Sequence, residues 1–320
     1  MKLRGVYVSR ADRIGDLVLS LPVLGLLRGA DVPWIGLQVS PYALDVGEWA
    51  LENGLCDALY AGDAPTAARR SAPEPLAASS VGLSLFHSPV ARDFFRAKGL
   101  DRTYGPRNKL SSLWSYRRTL AQHRSRVERS EAAYNLELAE WMLADFERKR
   151  GEALGIPALR VPPTWRAPRA SPRVLLVATN RGSAADWPFE RYLDWVRSFR
   201  EAGHSVDLLL NGVDAPARKE ALRASGWLDR GVGVVEEFAR VRELIAYVAG
   251  CGLVVSSSTG PLHLAHAAGV PVLGIYPRAP RVQSFDRWRP DGYRHGAAIR
   301  YVEIGEAEAW TAAELAATLT

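Results

Sequence analysis

Two kinds of run alternate along this chain of 320 residues. Short, nearly continuous apolar stretches read as buried strands, and longer stretches with apolar positions three or four apart read as amphipathic helices. In the first half, strands are predicted over 5–9 (GVYVS), 34–39 (WIGLQV), 58–60, 81–86 (VGLSLF) and 102–104. Helices are predicted over 15–28, kinked near Pro22, and over 41–53 and 90–98. The Ala-, Pro- and Ser-rich stretch 64–80 reads as a loop, and 112–154 as one long, charged helix.

A boundary follows at 155–173 (GIPALRVPPTWRAPRASPR), whose five prolines favour a stiff, extended linker. Beyond it the alternation restarts. Strands are predicted at 173–178, 205–210, 233–235, 253–256 and 270–276, and helices at 188–202, 215–225, 241–249 and 261–268. A last helix at 311–319 is expected to pack back on the first half. Strand–helix alternation of this kind implies parallel sheets with helices on both faces. The expected fold is therefore α/β, with two Rossmann-like, doubly wound domains over 1–160 and 161–320 facing a cleft. Ligands of such sheets bind at the carboxyl ends of the strands.

Composition narrows the class. With 48% hydrophobic and 24% charged residues, the chain has the make-up of a folded domain rather than a disordered or fibrous one. Cys56 and Cys251 are far apart and set among apolar residues, so no disulfide framework is expected and a reducing compartment is the default. The N-terminal apolar run is too short for a signal sequence, and the longest apolar stretch, 17–27, is half a membrane span. A cytoplasmic protein, at most peripheral to the inner-membrane surface, is the expectation. The net charge is +6, and all but five of the 41 cations are Arg, the side chain best shaped for phosphate and carboxylate. That balance fits nucleic acid, an anionic membrane or a phosphorylated substrate equally well.

Two turns carry candidate chemistry. In SRADRIGDLVLSLP (9–22) a strand gives way to a polar loop, and Gly15-Asp16 opens a helix. Asp16 in that position is either a cap for orphan amides or a general base taking a proton from a hydroxyl. Arg10 and Arg13 beside it are expected to lower its pKa. In VVSSSTGPLHLAHAA (254–268) a strand runs into Ser258-Thr259-Gly260, with Pro261 at the favoured first helical position. This is either a plainly capped helix or an anion site, its free amides and positive end suited to a diphosphate. His263 and His266 lie three apart with no carboxylate or cysteine near them in sequence, so no metal site is expected.

The pairing of RADRIGDLVLSLP near the start with SSSTGPLHLAHAAGVPVLGIYP near the end resembles glycosyltransferase family 9, the ADP-heptose:lipopolysaccharide heptosyltransferases. The segment ADWPFERYLDWVRSF matches its middle motif. The resemblance implies a GT-B fold with acceptor on the first domain and nucleotide-sugar donor on the second. It also implies inverting transfer with no cofactor or metal, and an ADP-sugar as favoured substrate. It makes Asp16 the catalytic base and places donor contacts at Ser258, Thr259, Gly260, Pro261 and His263. Two positions depart from the pattern. The Lys that usually precedes Trp-Pro falls at Ala185 or Asp186, and the acidic residue opening Asp-Thr-Gly is Ser258. Asn180 and Arg181 after one strand, and Arg278 and Arg281 after another, are the candidates to replace the missing cation, with Arg181 favoured.

The segment 112–129 (SLWSYRRTLAQHRSRVER) mixes aromatics with cations. It is either a solvated basic face or a contact for an anionic glycolipid or oligosaccharide acceptor. Arg117, Arg118 and Arg124 are its candidate contacts, with Arg10, Arg13 and Gly15 contributing from the Asp16 turn. No nucleic-acid signature accompanies it. The aromatic–Arg loop 285–293 either stacks on the donor or covers a sheet edge. The expected activity is transfer of a heptose or related sugar to a surface glycan. A catalytically inactive binder and a GT-B sugar-nucleotide epimerase are the alternatives.

Overall fold

Strand β1 (Gly5–Arg10) is buried at every position, as an apolar run must be when helices cover both faces of its sheet. It lies at the centre of the first of two units in the computed structural model. The structure describes residues 2–108, 110–148, 155–165, 173–178, 187–236 and 238–305. Unit 1 comprises residues 1–160 and returns for Arg289–Arg294; unit 2 takes 161–288 and the chain from 295 onward.

In unit 1, β1 is followed by helices α1 (Ile14–Val18) and α2 (Leu21–Gly29), then β2 (Ile35–Val39), α3 (Leu44–Glu52) and β3 (Ala58–Ala61). A two-residue strand β4 (Arg69–Arg70) interrupts the expected loop, and β5 (Ser80–Ser84), α4 (Pro89–Ala97) and β6 (Thr103–Arg107) complete the alternation. The expected single helix over 15–28 is two helices. Ser20 donates from Oγ to the Asp16 carbonyl at the break, and Pro22 sits in the first turn of α2, where its missing N–H costs nothing.

The expected long helix over 112–154 is corrected more deeply. It is a four-residue helix α5 (Ser112–Ser115), an edge strand β7 (Arg118–Ala121), a short turn of 3-10 helix, and α6 (Glu131–Ala144). Tyr116 breaks it: the residue is extended, buried, and donates from its hydroxyl to Ser84 Oγ at 3.0 Å. Val127 then turns through left-handed backbone (φ 54°), and Ser130 starts α6 by accepting a bond from the Ala133 amide. The arginines of this segment therefore share no helix face.

The sheet of unit 1 runs β4-β3-β2-β1-β5-β6-β7, parallel except for β4. Its order reverses between β1 and β5, which makes their carboxyl ends the switch point. The returning segment closes against this unit. Ile156 bridges Tyr293, Tyr293 Oη donates to the Val18 carbonyl at 2.7 Å, and Gly292 lies at φ 89° against Pro22.

Unit 2 contains β8 (Val174–Val177), α7 (Phe189–Glu201), β9 (Val206–Leu209), α8 (Ala215–Ala224) and β10 (Gly233–Val235). It continues with α9 (Val241–Ala249), β11 (Leu253–Ser257), α10 (Gly260–Ala267), β12 (Val272–Tyr276), α11 (Phe285–Trp288) and β13 (Ile299–Glu303). Its parallel sheet runs β10-β9-β8-β11-β12-β13, with the switch between β8 and β11. Trp187, Tyr192, Trp195 and Phe199 pack with the strand residues in one core. The loop 285–293 divides: Phe285 stacks flat on Tyr301 of β13 at 3.9 Å, whereas its last residues belong to unit 1. The helix expected at 311–319 lies outside the described residues. Among the described residues no helix is long and apolar enough to cross a membrane.

Candidate active site

At the switch point of unit 1 the chain leaves β1 through Arg10 and enters α1, whose first turn carries Asp16. A cation at the last position of a fully buried strand must find anions, and Arg10, 2% exposed, finds three. Its Nε donates to Asp12 Oδ1 at 2.7 Å, Nη2 to Asp16 Oδ1 at 2.8 Å, and Nη1 to Glu131 Oε1 at 2.9 Å. Nη1 also reaches the Leu85 carbonyl and Asn135 Oδ1. Glu131 opens α6 and shares the same Oε1 with Arg124, whose guanidinium also binds Gln122 Oε1. Asn135 continues the network to Ser20 Oγ at 3.0 Å, and the half-exposed Phe86 lies under the Arg10 guanidinium at 5.7 Å.

Asp16 is 13% exposed, and its Oδ2 receives no hydrogen bond from the described residues. Burial pushes its pKa up, Arg10 pulls it down, and the neighbouring Asp12 and Glu131 carboxylates push it up again, to about 6. The expectation that Arg10 and Arg13 lower it is thus corrected: desolvation and two adjacent carboxylates outweigh the cations. Burial works against the charge of Arg10 as well, yet Glu131, Asp12 and Asp16 together hold it protonated. Arg10 is also corrected as an acceptor contact, because its donors are engaged inside the protein. Arg13 is exposed at the start of α1, and Gly15 is half-buried beside Asp16.

The segment 117–124 is spread over several environments. Arg124 is tied to Glu131, and Arg118 pairs with Asp145 at 2.9 Å over the Trp141 ring. Arg117 remains exposed and lines a cavity of about 500 Å³ with Arg92, Arg96, Leu113 and Trp114.

At the switch point of unit 2, β11 ends in buried Ser256 and Ser257, and α10 starts at Gly260 with Pro261 in its first turn. Thr259 occupies the N-cap position but does not cap. Its Oγ1 is turned to Ser256 Oγ at 2.7 Å, both buried, and makes no bond to the helix amides. No acidic residue stands in the first turn. Ser258, Gly260 and Pro261 are half-buried. His263 is 2% exposed, and burial lowers its pKa to about 4, so it is a neutral imidazole rather than a cation. Arg278 is exposed, with Nε 3.8 Å from Glu303. Asn180, Arg181, Ala185 and Asp186 lie outside the described residues. Among those described, no group of three or more His, Cys, Asp or Glu is placed to hold a metal.

Sequence reasoning missed Asp12, Glu131 and Asn135, the partners of Arg10. The one local signal was Ser130-Glu131, a cap followed by an acid at a helix start, hidden inside what reads as a continuous helix.

Comparison with known proteins agrees with this architecture. E. coli ADP-heptose lps heptosyltransferase II superposes with a TM-score of 0.71 at 16% identity, covering 99% of this chain and 98% of that one. E. coli heptosyltransferase WaaC, solved with ADP, superposes with a TM-score of 0.69 at 14% identity, covering 98% of each chain. A Haemophilus influenzae protein that carries only a provisional glycosyltransferase description is 24% identical over 309 residues, covering 89% of this chain and 85% of its own. The fold is thus the GT-B fold of heptosyltransferases, two parallel-sheet α/β units. Residues 109–294, more than half of the chain, match glycosyltransferase family 9 (heptosyltransferase), and the chain belongs to that family.

Proposed function

We propose that the protein is an inverting glycosyltransferase that moves a heptose or related sugar from an ADP-sugar to a hydroxyl of an anionic surface-glycan or lipid-linked acceptor, without a metal or other cofactor. The observation that carries this reading is Asp16. It is a mostly buried carboxylate at a switch point, held through one oxygen by Arg10, with a pKa raised to about 6. A carboxylate so placed is ionised near neutrality and more basic than an exposed one, which is what a general base needs. The acceptor oxygen attacks the anomeric carbon and passes its proton to Asp16, while the bond from that carbon to the diphosphate breaks on the opposite face. The departing charge is taken by the amides at the start of α10, with Arg181 as the added cation. The uncapped, acid-free first turn of α10 supports this role, and the ADP bound to the similar WaaC supports the choice of base.

An anionic acceptor is supported by the surface around Arg117. There Arg92 and Arg96 surround exposed Leu113 and Trp114, a mixture of cations and aromatics suited to a lipid–water interface. On this reading the enzyme works peripherally at the cytoplasmic face of the inner membrane.

The test has two arms. In a thermal-shift panel of ADP-, GDP-, UDP-, TDP- and CMP-sugars, an ADP-sugar raises the midpoint most. Asp16→Asn then keeps that shift while turnover falls about 10²–10⁴-fold. A panel without any hit, or an Asp16→Asn variant with wild-type turnover, refutes the reading, the first outcome pointing to an inactive protein.

A further inference from the structure

The carboxylates around Arg10 outnumber the cations. Asp12, Asp16 and Glu131 face Arg10 and Arg124, so the cluster carries one excess negative charge when every group is ionised and becomes neutral on taking one proton. One further cation acts on Asp16, Arg13, whose charge favours the anion more weakly than that of Arg10. Arg13 on the α1 side is exposed, and Tyr42 donates to the Asp12 carbonyl from the turn before α3. Gln122, Asn135 and Ser20 are neutral, and Glu137 pairs with Arg129 at 3.0 Å.

The geometry also divides the guanidinium among its partners. Arg10 gives one edge to each carboxylate: Nε to Asp12, Nη1 to Glu131 and Nη2 to Asp16. A two-pronged clamp on Asp16 would stabilise its anion more strongly and make it a weaker base. Glu131 prevents that by holding Nη1 toward α6, and it is itself fixed from the far side by Arg124. Glu131 is 1% exposed, so its charge acts on Asp16 through protein rather than water.

We propose that Glu131 and Arg124 are positioning residues that set the basicity of Asp16, Glu131 by drawing Arg10 away from it and Arg124 by holding Glu131 in place. The inference rests on the reading of Asp16 as the catalytic base. Both side chains are buried, Arg124 at 9% and Glu131 at 2% exposed. Their effect passes through Arg10, and the two act with opposite sign. Loss of the Glu131 charge leaves Arg10 more fully to Asp16 and lowers its proton affinity. Loss of the Arg124 charge leaves Glu131 a stronger negative neighbour and raises it.

The test needs no substrate. Full-length protein labelled with ¹³C at the aspartate carboxyls is titrated by NMR, the Asp16 signal being the one absent from Asp16→Asn. Glu131→Gln is expected to move the Asp16 midpoint down by about one pH unit and Arg124→Gln to move it up by a smaller amount. Opposite directions are the signature, since general loosening that admits water would move both variants the same way. Unchanged midpoints, or shifts of the same sign, overturn the proposal. Should Glu131→Gln not fold, Arg124→Gln decides alone: an upward shift supports the proposal, and no shift or a downward one overturns it. The base reading fails separately, if Asp16→Asn retains turnover, and that result leaves the titration outcome untouched.

Discussion

The two units present the same construction, a helix starting at the switch point of a parallel sheet, with opposite electrostatics. At the β1–α1 turn the positive end of the helix is answered by the chain's own Asp16, which interlocks with four other buried or half-buried charges. At the β11–α10 turn there is no acid in the first turn, the N-cap hydroxyl is turned away, and burial holds the nearest imidazole neutral. A helix end that carries its own anion is prepared to handle a proton. One that lacks it is prepared to receive an anion from outside. The difference comes from a handful of residues on a shared architecture, which is why the fold alone does not tell the two turns apart.

The largest expected effect separates the turns by stability. Arg10→Met leaves Asp12, Asp16 and Glu131 buried without their common cation, and removal of one partner from a buried charge cluster costs about 3–5 kcal/mol. In urea unfolding followed by amide exchange, β1 and α6 should lose protection while β11 and α10 keep theirs. A variant as stable as the parent would mean that the cluster is only loosely held and that the two turns differ less than their geometry indicates.

Acid separates them next, by sign. His263 is lowered from 6.5 to about 4, so between those values the unfolded chain binds a proton that the folded one refuses. Stability contributed at α10 is present above about pH 6.5 and is lost as the pH falls toward 4, by up to about 3 kcal/mol. Asp16 is raised from 3.8 to about 6, and there the folded chain binds the extra proton. Its contribution is fully present below about pH 4 and is lost as the pH rises through 6. Amide exchange at pH 6.5 and 4.5, corrected for intrinsic rates, should show protection falling around α10 and not around α1. His263→Leu should reduce the fall, the remainder belonging to His266 on the same helix, whose pKa burial lowers to about 3. Equal losses at both turns would erase the electrostatic contrast.

Much of this was legible in the sequence, for a physical reason. Strands buried on both faces are continuous apolar runs, so β1, β5, β8 and β11 and the polar turns that end them stand out, and Asp16 and Thr259 are the candidates those turns offer. What was not legible is what depends on distant partners. Tyr116 breaks the expected helix because its ring packs on Gly105, where any Cβ would meet it. β13 escaped because an edge strand with three exposed positions has no apolar run. The sequence shows two arginines beside Asp16 and so suggests a depressed pKa. Only the fold shows that Glu131, 115 positions on, shares one of them and that burial reverses the sign.

The smallest effect tests whether the α10 turn is set by its hydroxyls. Ser256 Oγ and Thr259 Oγ1 are buried and bonded to each other at 2.7 Å, and that bond keeps Thr259 from capping its own helix. Removing one hydroxyl strands the other in a dry site, so Ser256→Ala should cost about 1–2 kcal/mol. Thr259→Val should cost a similar amount, and the double variant should cost clearly less than the two together. Ser256→Ala has a second consequence. Freed from its partner, Thr259 Oγ1 can swing to the first-turn amides as an ordinary cap. It would then occupy donors that the proposed function reserves for the diphosphate. ADP should therefore give a smaller thermal shift in Ser256→Ala than in Thr259→Val, although Ser256 lies deeper in the strand. The reverse order would mean that the Thr259 hydroxyl serves the anion directly, and the uncapped helix start would lose its explanation.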